Sequence, residues 1–76
     1  MNILVTGGAG YIGSHTVRAL LSSRRFTPVV FDNLSTGHAE SVPEGTVLVK
    51  GDFHDIEFVA DTLMKYDIQG VVHFAA

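Results

Sequence analysis

The sequence predicts an α/β fold in which about four parallel strands alternate with two main helices. Four short apolar runs, rich in β-branched residues, are the first observation, and they cover residues 3–5, 29–31, 47–49 and 71–74. Runs without alternating polar residues suit strands that are covered on both faces, as in parallel sheets. The second observation is the order of the elements, because alternation of strand and helix favours a parallel sheet with right-handed crossovers.

Two segments between these runs have helical patterns. Residues 11–23 carry an apolar stripe, and residues 55–66 repeat apolar residues at helical spacing. Asp55 is expected to cap the second helix, and Glu57 places a negative charge in its first turn. Residues 33–45 show little periodicity and are predicted to form a loop that can include a short helical turn. A doubly wound sheet then places strand one centrally, strands two and three on one side of it, and strand four on the other.

Composition limits the kind of protein. The chain has 76 residues, which is one domain at most, and 46% are hydrophobic while 17% are charged. This core-rich composition fits the interior of something larger better than a free-standing mini-protein. The net charge is −3 and the cations are scattered, which argues against a nucleic-acid partner. The pair Arg24-Arg25 is interpreted as the solvated end of a helix.

Metal sites, disulfides and membrane segments are not expected. The sequence has no cysteine, and its four histidines lack the spacing of a metal site, so surface or packing roles are predicted for them. These histidines are His15, His38, His54 and His73. No apolar run reaches the length of a membrane span, and no signal-like segment is present. The expectation is a protein with no membrane partner and a cytoplasmic location.

Three glycines after the first strand form the most informative motif. Gly7, Gly10 and Gly13 are spaced by three, follow a strand and open a helix. Gly7 allows a tight exit from the strand, Gly10 lets the backbone approach a ligand, and Gly13 lets the helix pack close to the sheet. Amides at the start of the helix then favour an anion. A ligand-free loop is the alternative, but the flanking strand and helix favour a pyrophosphate, and no Walker-type lysine follows.

Aspartates end the second and third strands. Asp32 can accept hydrogen bonds from both hydroxyls of an adenosine ribose, although a capping role in the loop is an alternative. Its charge repels a 2′-phosphate, and no Arg or Lys stands in residues 33–37, which favours NAD over NADP. Asp52 can accept a hydrogen bond from the adenine amino group, with Phe53 supplying backbone contacts. Capping of the following helix is the alternative role for Asp52, and the two roles are compatible.

Four segments carry a resemblance to a known family. They are residues 6–16, which read Thr-Gly-Gly-Ala-Gly-Tyr-Ile-Gly-Ser-His-Thr, and residues 32–38, 51–52 and 72–76. Their order and spacing closely resemble those of extended short-chain dehydrogenase/reductases, and within that family the epimerases of UDP-hexoses. The resemblance covers essentially the whole chain. It implies a partial Rossmann-like, doubly wound sheet and an NAD molecule that is retained through turnover.

The resemblance also implies roles for individual residues. Tyr11 and Ile12 are expected to offer backbone amides to the pyrophosphate, while Asp32 holds the adenosine ribose and Asp52 and Phe53 meet the adenine. Further cofactor contacts are implied around the adenosine end and beyond the fourth strand. These involve Asn33, Leu34, Ser35, Thr36 and Gly37 at the adenosine end, and Phe74, Ala75 and Ala76 beyond the strand.

The family's chemistry depends on residues that this sequence lacks. In the family, C4 of a UDP-hexose gives a hydride to the nicotinamide and takes it back on its other face, while a Tyr-x-x-x-Lys pair handles the proton. Here Tyr11 is followed by His15 at that spacing, and Tyr66 by Gly70. The expectation is that residues 1–76 form the N-terminal part of an NAD-binding domain, without catalytic residues, without a UDP-sugar site and without activity alone.

Two alternatives stay open at this point. One is a non-catalytic dinucleotide-binding module that is completed by self-association, because strand four would otherwise expose an unpaired apolar edge and uncovered sheet faces. The other is a part of a different NAD-dependent sugar-nucleotide epimerase or dehydratase, since the residues that bind the sugar lie outside this sequence.

Overall fold

A computed structural model describes residues 1–74, and these residues contain four strands and two α-helices. In chain order the elements are β1 (Asn2–Thr6), α1 (Tyr11–Ser23), β2 (Thr27–Asp32), a 3-10 helix (Ala39–Ser41), β3 (Val47–Lys50), α2 (Ile56–Lys65) and β4 (Gly70–His73). The sheet is parallel throughout and has the order β3-β2-β1-β4. The predicted α/β class and doubly wound order are confirmed.

The two central strands, β1 and β2, are buried on both faces of the sheet. On one face Val5 belongs to a core cluster with Val17 of α1. On the opposite face Leu4 and Phe31 form a second cluster, against which Leu63 of α2 packs. Alternate residues of a strand point to opposite faces, so both faces of these strands need apolar residues. This explains why the runs are continuous rather than alternating.

The two edge strands are more exposed than the two central strands. Val47 of β3 and Val71 of β4 remain 40% and 50% exposed. The expectation of cover on both faces is therefore wrong for β3, whereas exposed faces are expected for β4 and are found there. The physical reason is that α1 and α2 pack on core clusters centred on β1 and β2, so the faces of the outer strands receive less cover.

The helix ends follow local sequence signals. The Asp55 side chain accepts a hydrogen bond from the Phe58 amide at 3.2 Å, so the predicted cap of α2 is confirmed. At the end of α1, Arg24 adopts a left-handed conformation with φ of 60° and donates its amide to the Leu21 carbonyl, as a helix C-cap does. Within residues 1–74 neither α-helix has the length and apolar character needed to cross a membrane.

Candidate functional site

A cleft of about 500 Å³ lies at the carboxyl ends of the strands. In an open α/β sheet, this edge is where ligands bind. Most of the residues predicted to bind a cofactor line it: Gly7, Gly10, Tyr11, Ile12, Gly13, Asp32, Asn33, Ser35, Thr36, Asp52, Phe53 and Phe74. Leu34 and Gly37 do not line it, and Ala75 and Ala76 lie outside the described residues. The fold thus brings together residues from four separate segments of the chain.

The turn between β1 and α1 is built from glycines for steric reasons. Gly7 has a φ of 73°, a left-handed conformation that glycine adopts without strain. The Gly7 carbonyl accepts the Gly10 amide at 3.1 Å and faces Gly13, where an added Cβ would lie 2.1 Å from the Gly7 oxygen. A side chain at position 13 would therefore force this turn apart, whereas Gly10 keeps its Cβ side open apart from a 3.3 Å contact with the same oxygen.

The start of α1 presents unpaired amides to the cleft. Gly10 is the N-cap and has no side chain to cap the helix, and the first backbone bond of the helix comes from Ser14, which donates to the Gly10 carbonyl. Within residues 1–74, no acceptor pairs with the amides of Tyr11, Ile12 and Gly13. The first turn also carries no acidic residue. Free amides and the positive end of the helix dipole form an anion-binding position.

Asp32 fixes the glycine turn to the end of β2. Its side chain is only 8% exposed, and each carboxylate oxygen accepts one backbone hydrogen bond. Oδ2 accepts from the Ala9 amide at 3.0 Å, and Oδ1 accepts from the Leu34 amide at 2.8 Å. A carboxylate oxygen has two lone pairs, so each oxygen keeps one further acceptor position. Asp32 therefore orients the turn and also presents an acceptor in the cleft wall.

Leu34 and Gly37 support the cleft from behind. Leu34 has a φ of 62° and packs against the core cluster on the α1 face. An added Cβ at Gly37 would lie 2.8 Å from the Ala9 backbone, and the next residue, His38, donates its amide to the Ala9 carbonyl. The loop after β2 is thus packed directly on the glycine turn.

Asp52 and His54 form an exposed pair at the cleft edge. Asp52 Oδ1 accepts the His54 backbone amide at 2.8 Å and lies 3.0 Å from His54 Nδ1. The bond from the backbone amide, followed by the bond from the His54 side chain, lowers the pKa of the Asp52 carboxyl below its ordinary value. The alternative in which Asp52 caps α2 is wrong, because Asp55 makes that contact.

The lowered pKa of Asp52 gives a pH-dependent prediction. We expect its carboxyl to titrate below an ordinary aspartate, and the pKa to rise only part of the way back in His54→Ala, because the backbone amide remains. The ionised form stabilises the fold above the unfolded-state pKa, and this contribution disappears as pH falls through the lowered folded-state pKa. Carbon-13 NMR titration of both proteins measures this. A pKa of Asp52 that does not move in His54→Ala contradicts the contact.

Four cleft-lining residues were not predicted: Phe31, Gly51, His54 and His73. For His54 and His73 the sequence indicated surface or packing roles only. Their position in the chain is the signal that could identify them, because His73 ends β4 and His54 follows β3, and both strand ends lie at the carboxyl edge of the sheet. Gly51 has a packing reason as well, because an added Cβ would lie 2.4 Å from the Phe58 ring.

Together, the parallel sheet order, the glycine turn and the acidic end of β2 define a Rossmann-like α/β fold. The family model described as the NAD dependent epimerase/dehydratase family matches residues 3–76. The chain belongs to this family, and the resemblance carried by its motifs is confirmed.

Individual relatives agree with this assignment. The chain is 51% identical over 75 residues to UDP-glucose 4-epimerase of Rhizobium meliloti, which covers 99% of the chain and 22% of the relative. A crystal structure of UDP-glucose 4-epimerase from Brucella ovis in complex with NAD is 49% identical with a TM-score of 0.89, covering 99% of this chain and 22% of that one. The chain thus spans about a fifth of the length of these relatives.

A relative with another reaction has the same local fold. A crystal structure of dTDP-glucose 4,6-dehydratase from Bacillus anthracis in complex with NAD is 37% identical, with a TM-score of 0.91. The match covers all of this chain and 27% of the dehydratase chain. The fold of these residues is therefore shared by epimerases and dehydratases, and it does not itself specify the sugar.

Proposed function

We propose that residues 1–76 form the N-terminal part of the NAD-binding domain of a UDP-glucose 4-epimerase. The observation that carries the proposal is the pairing, in one cleft, of free amides at the start of α1 with the buried carboxylate of Asp32. An anion-binding position next to a hydroxyl acceptor matches a pyrophosphate that is joined to a ribose.

The residues of the cleft fit NAD part by part. The amides of Tyr11, Ile12 and Gly13 would hold the pyrophosphate, and Asp32 would accept from the adenosine ribose. Asp52 would receive the adenine amino group, with Phe53 beside it. Asn33, Ser35 and Thr36 are proposed to contact the adenosine end, and Phe74, Ala75 and Ala76 the part of the cofactor beyond β4, whereas Leu34 and Gly37 pack behind the cleft and are no longer proposed as direct contacts. When bound, NAD supplies the hydride acceptor, and the residues of this chain bind and orient it.

The charges of the cleft favour NAD over NADP. Asp32 and Asp52 both line the cleft, whereas no Lys or Arg of residues 1–74 does so. A 2′-phosphate next to the Asp32 carboxylate would meet like charge and would have no cation to receive it. The cofactor proposed for the chain is therefore NAD.

The epimerase reaction itself is proposed for the complete enzyme. Residues 1–76 contain no Tyr-x-x-x-Lys pair, so we assign no catalytic residue to them. The complete enzyme would interconvert UDP-glucose and UDP-galactose, which places it in galactose metabolism. We propose a cytoplasmic location, which agrees with a sequence that has no cysteine for disulfides.

A second candidate is a nucleotide-binding module that associates with copies of itself. Apolar side chains on α2 and β4 favour it, because Ile56 is 79%, Met64 81% and Val71 50% exposed. The edge strand β4 also carries backbone groups on its outer side that a further strand can pair with. We keep the epimerase proposal first, because its relatives share 49–51% of the sequence.

Calorimetry on the purified chain tests the proposal. We expect NAD to bind, NADP to bind at least about tenfold more weakly, and UDP-galactose 4-epimerase activity to be absent. Light scattering on the same sample gives the mass and separates a single chain from an associated module. Failure of a folded chain to bind NAD contradicts the proposal, and turnover by the chain alone contradicts the assignment of its catalytic residues to the remainder of the enzyme.

A further inference from the structure

We propose that His73 is a positioning residue for the adenine end of the cofactor cleft. The His73 ring, at the end of β4, contacts Thr6 of β1 and Phe53 of the loop between β3 and α2. Through these contacts it sets the position of Asp52 and Phe53. This inference rests on the proposed function, because it names a residue that shapes the proposed NAD site. Position 73 was predicted from the sequence to have only a surface or packing role.

Thr6 fixes the ring of His73. The two residues are direct neighbours in the parallel pairing of β1 and β4, and Thr6 Oγ1 is hydrogen-bonded to His73 Nδ1. Thr6 is fully buried, and Nδ1 is the partner of its hydroxyl within residues 1–74. A buried hydroxyl needs an acceptor for its proton, so the hydroxyl donates and Nδ1 accepts. The neutral ring then carries its proton on Nε2.

The fixed ring in turn contacts the loop between β3 and α2. The ring centroids of His73 and Phe53 lie 4.6 Å apart with an interplanar angle of 40°. Phe53 is 37% exposed, and among residues 1–74 its other aromatic contact is Phe31 at 6.4 Å, so His73 is the nearer of the two. Aromatic contacts of this kind restrict both position and orientation. Phe53 directly follows Asp52, so restricting the Phe53 ring also restricts the backbone that carries the proposed adenine acceptor, whose carboxylate His54 orients.

Thr6 makes the inference testable because it does not line the cleft. His73 and Phe53 both do, so changes at those positions alter the cleft wall directly. A change at Thr6 reaches the cleft through the ring of His73. Thr6→Val keeps the shape of the side chain and removes the hydroxyl, whereas Thr6→Ser keeps the hydroxyl and serves as the conservative variant.

The experiment compares two fragments of the cofactor as probes. NMR titrations with AMP report the adenine and ribose end, and titrations with inorganic pyrophosphate report the glycine turn. We expect His73→Ala to weaken AMP about tenfold and Thr6→Val about fivefold, with pyrophosphate affinity changed less than about twofold. Thr6→Ser is expected to bind both probes as the unchanged chain does. His15→Ala is the matched control, because His15 also contacts an aromatic ring, that of Tyr11, but does not line the cleft.

The outcomes separate this inference from the proposed function. If the unchanged chain binds NAD and AMP while His73→Ala and Thr6→Val bind AMP equally well, the positioning role is wrong and the proposed function stands. If both variants lose AMP and pyrophosphate affinity to the same extent, His73 and Thr6 stabilise the fold in general rather than the adenine end, and the inference is also wrong. If the unchanged folded chain binds no NAD, the proposed function fails first.

A measurement on the unchanged chain does not depend on how the variants fold. Nitrogen-15 NMR of the histidine rings at mildly alkaline pH distinguishes the two neutral tautomers. We expect His73 to carry its proton on Nε2, with Nδ1 showing the nitrogen-15 shift of a hydrogen-bonded acceptor. A proton on Nδ1 of the unchanged chain overturns the arrangement from which the inference is drawn.

Discussion

Replacing Gly13 with alanine is expected to abolish NAD binding and to lower the free energy of unfolding by about 3 kcal/mol or more. A Cβ at this position would lie 2.1 Å from the Gly7 carbonyl oxygen and 2.9 Å from the Gly8 Cα. These neighbours are backbone atoms, so no side-chain rotation relieves the clash. Alanine inside a helix normally gains about 1 kcal/mol over glycine, and the clash exceeds that gain. NAD titration and thermal unfolding measure the two effects.

Gly10→Ala is the matched comparison for this prediction. An added Cβ there meets only the Gly7 oxygen at 3.3 Å, and the backbone is extended, with φ of −77° and ψ of 176°. We therefore expect a loss of less than about 1 kcal/mol in stability but a marked loss of NAD affinity, because the methyl group enters the proposed pyrophosphate position. If Gly13→Ala unfolds at the same temperature as the unchanged chain and binds NAD, the proposed role of the glycine turn is wrong.

Local signals explain what the sequence predicts well. The bounds 11–23 of α1 and the Asp55 cap of α2 depend on residues within one or two helical turns of each other, and both are confirmed. The glycine spacing likewise predicts a turn, because the steric demands at Gly7 and Gly13 arise within seven residues. Such short-range patterns can be identified in the sequence without knowledge of how distant segments pack together.

Long-range contacts explain what the sequence does not predict. Thr6 and His73 are 67 residues apart, and nothing near either residue indicates that the other is its partner. The exposure of Val47 in β3 has the same origin, because burial of a strand depends on its place in the sheet. For Asp32, the position at a strand end predicts a cofactor role, but its bond to the Ala9 amide, 23 residues away, becomes visible only in the folded chain.

Replacing Asp32 with asparagine is expected to lower stability and to reduce the preference for NAD over NADP at least about tenfold. Both carboxylate oxygens accept backbone amides, from Ala9 in a buried bond and from Leu34 in a partly buried one. Asparagine has one acceptor oxygen, so its amide nitrogen faces one of these donors, and a buried unsatisfied amide costs about 1–3 kcal/mol. Removal of the charge also removes the repulsion of a 2′-phosphate, so NAD affinity falls while NADP affinity falls less or rises.

Asp67→Asn provides the charge-matched control for this prediction. Asp67 is exposed and lies in the turn before β4, at the opposite end of the sheet from the cleft. Its φ of 51° suits asparagine, which tolerates the left-handed conformation. We expect this control to leave the ratio of NAD to NADP affinity unchanged, because the removed charge is remote from the ribose. Calorimetric titration of both variants with both cofactors decides the question. An equal ratio in Asp32→Asn and Asp67→Asn would show that the Asp32 carboxylate does not face the ribose, and would contradict the proposed orientation of the cofactor in the cleft.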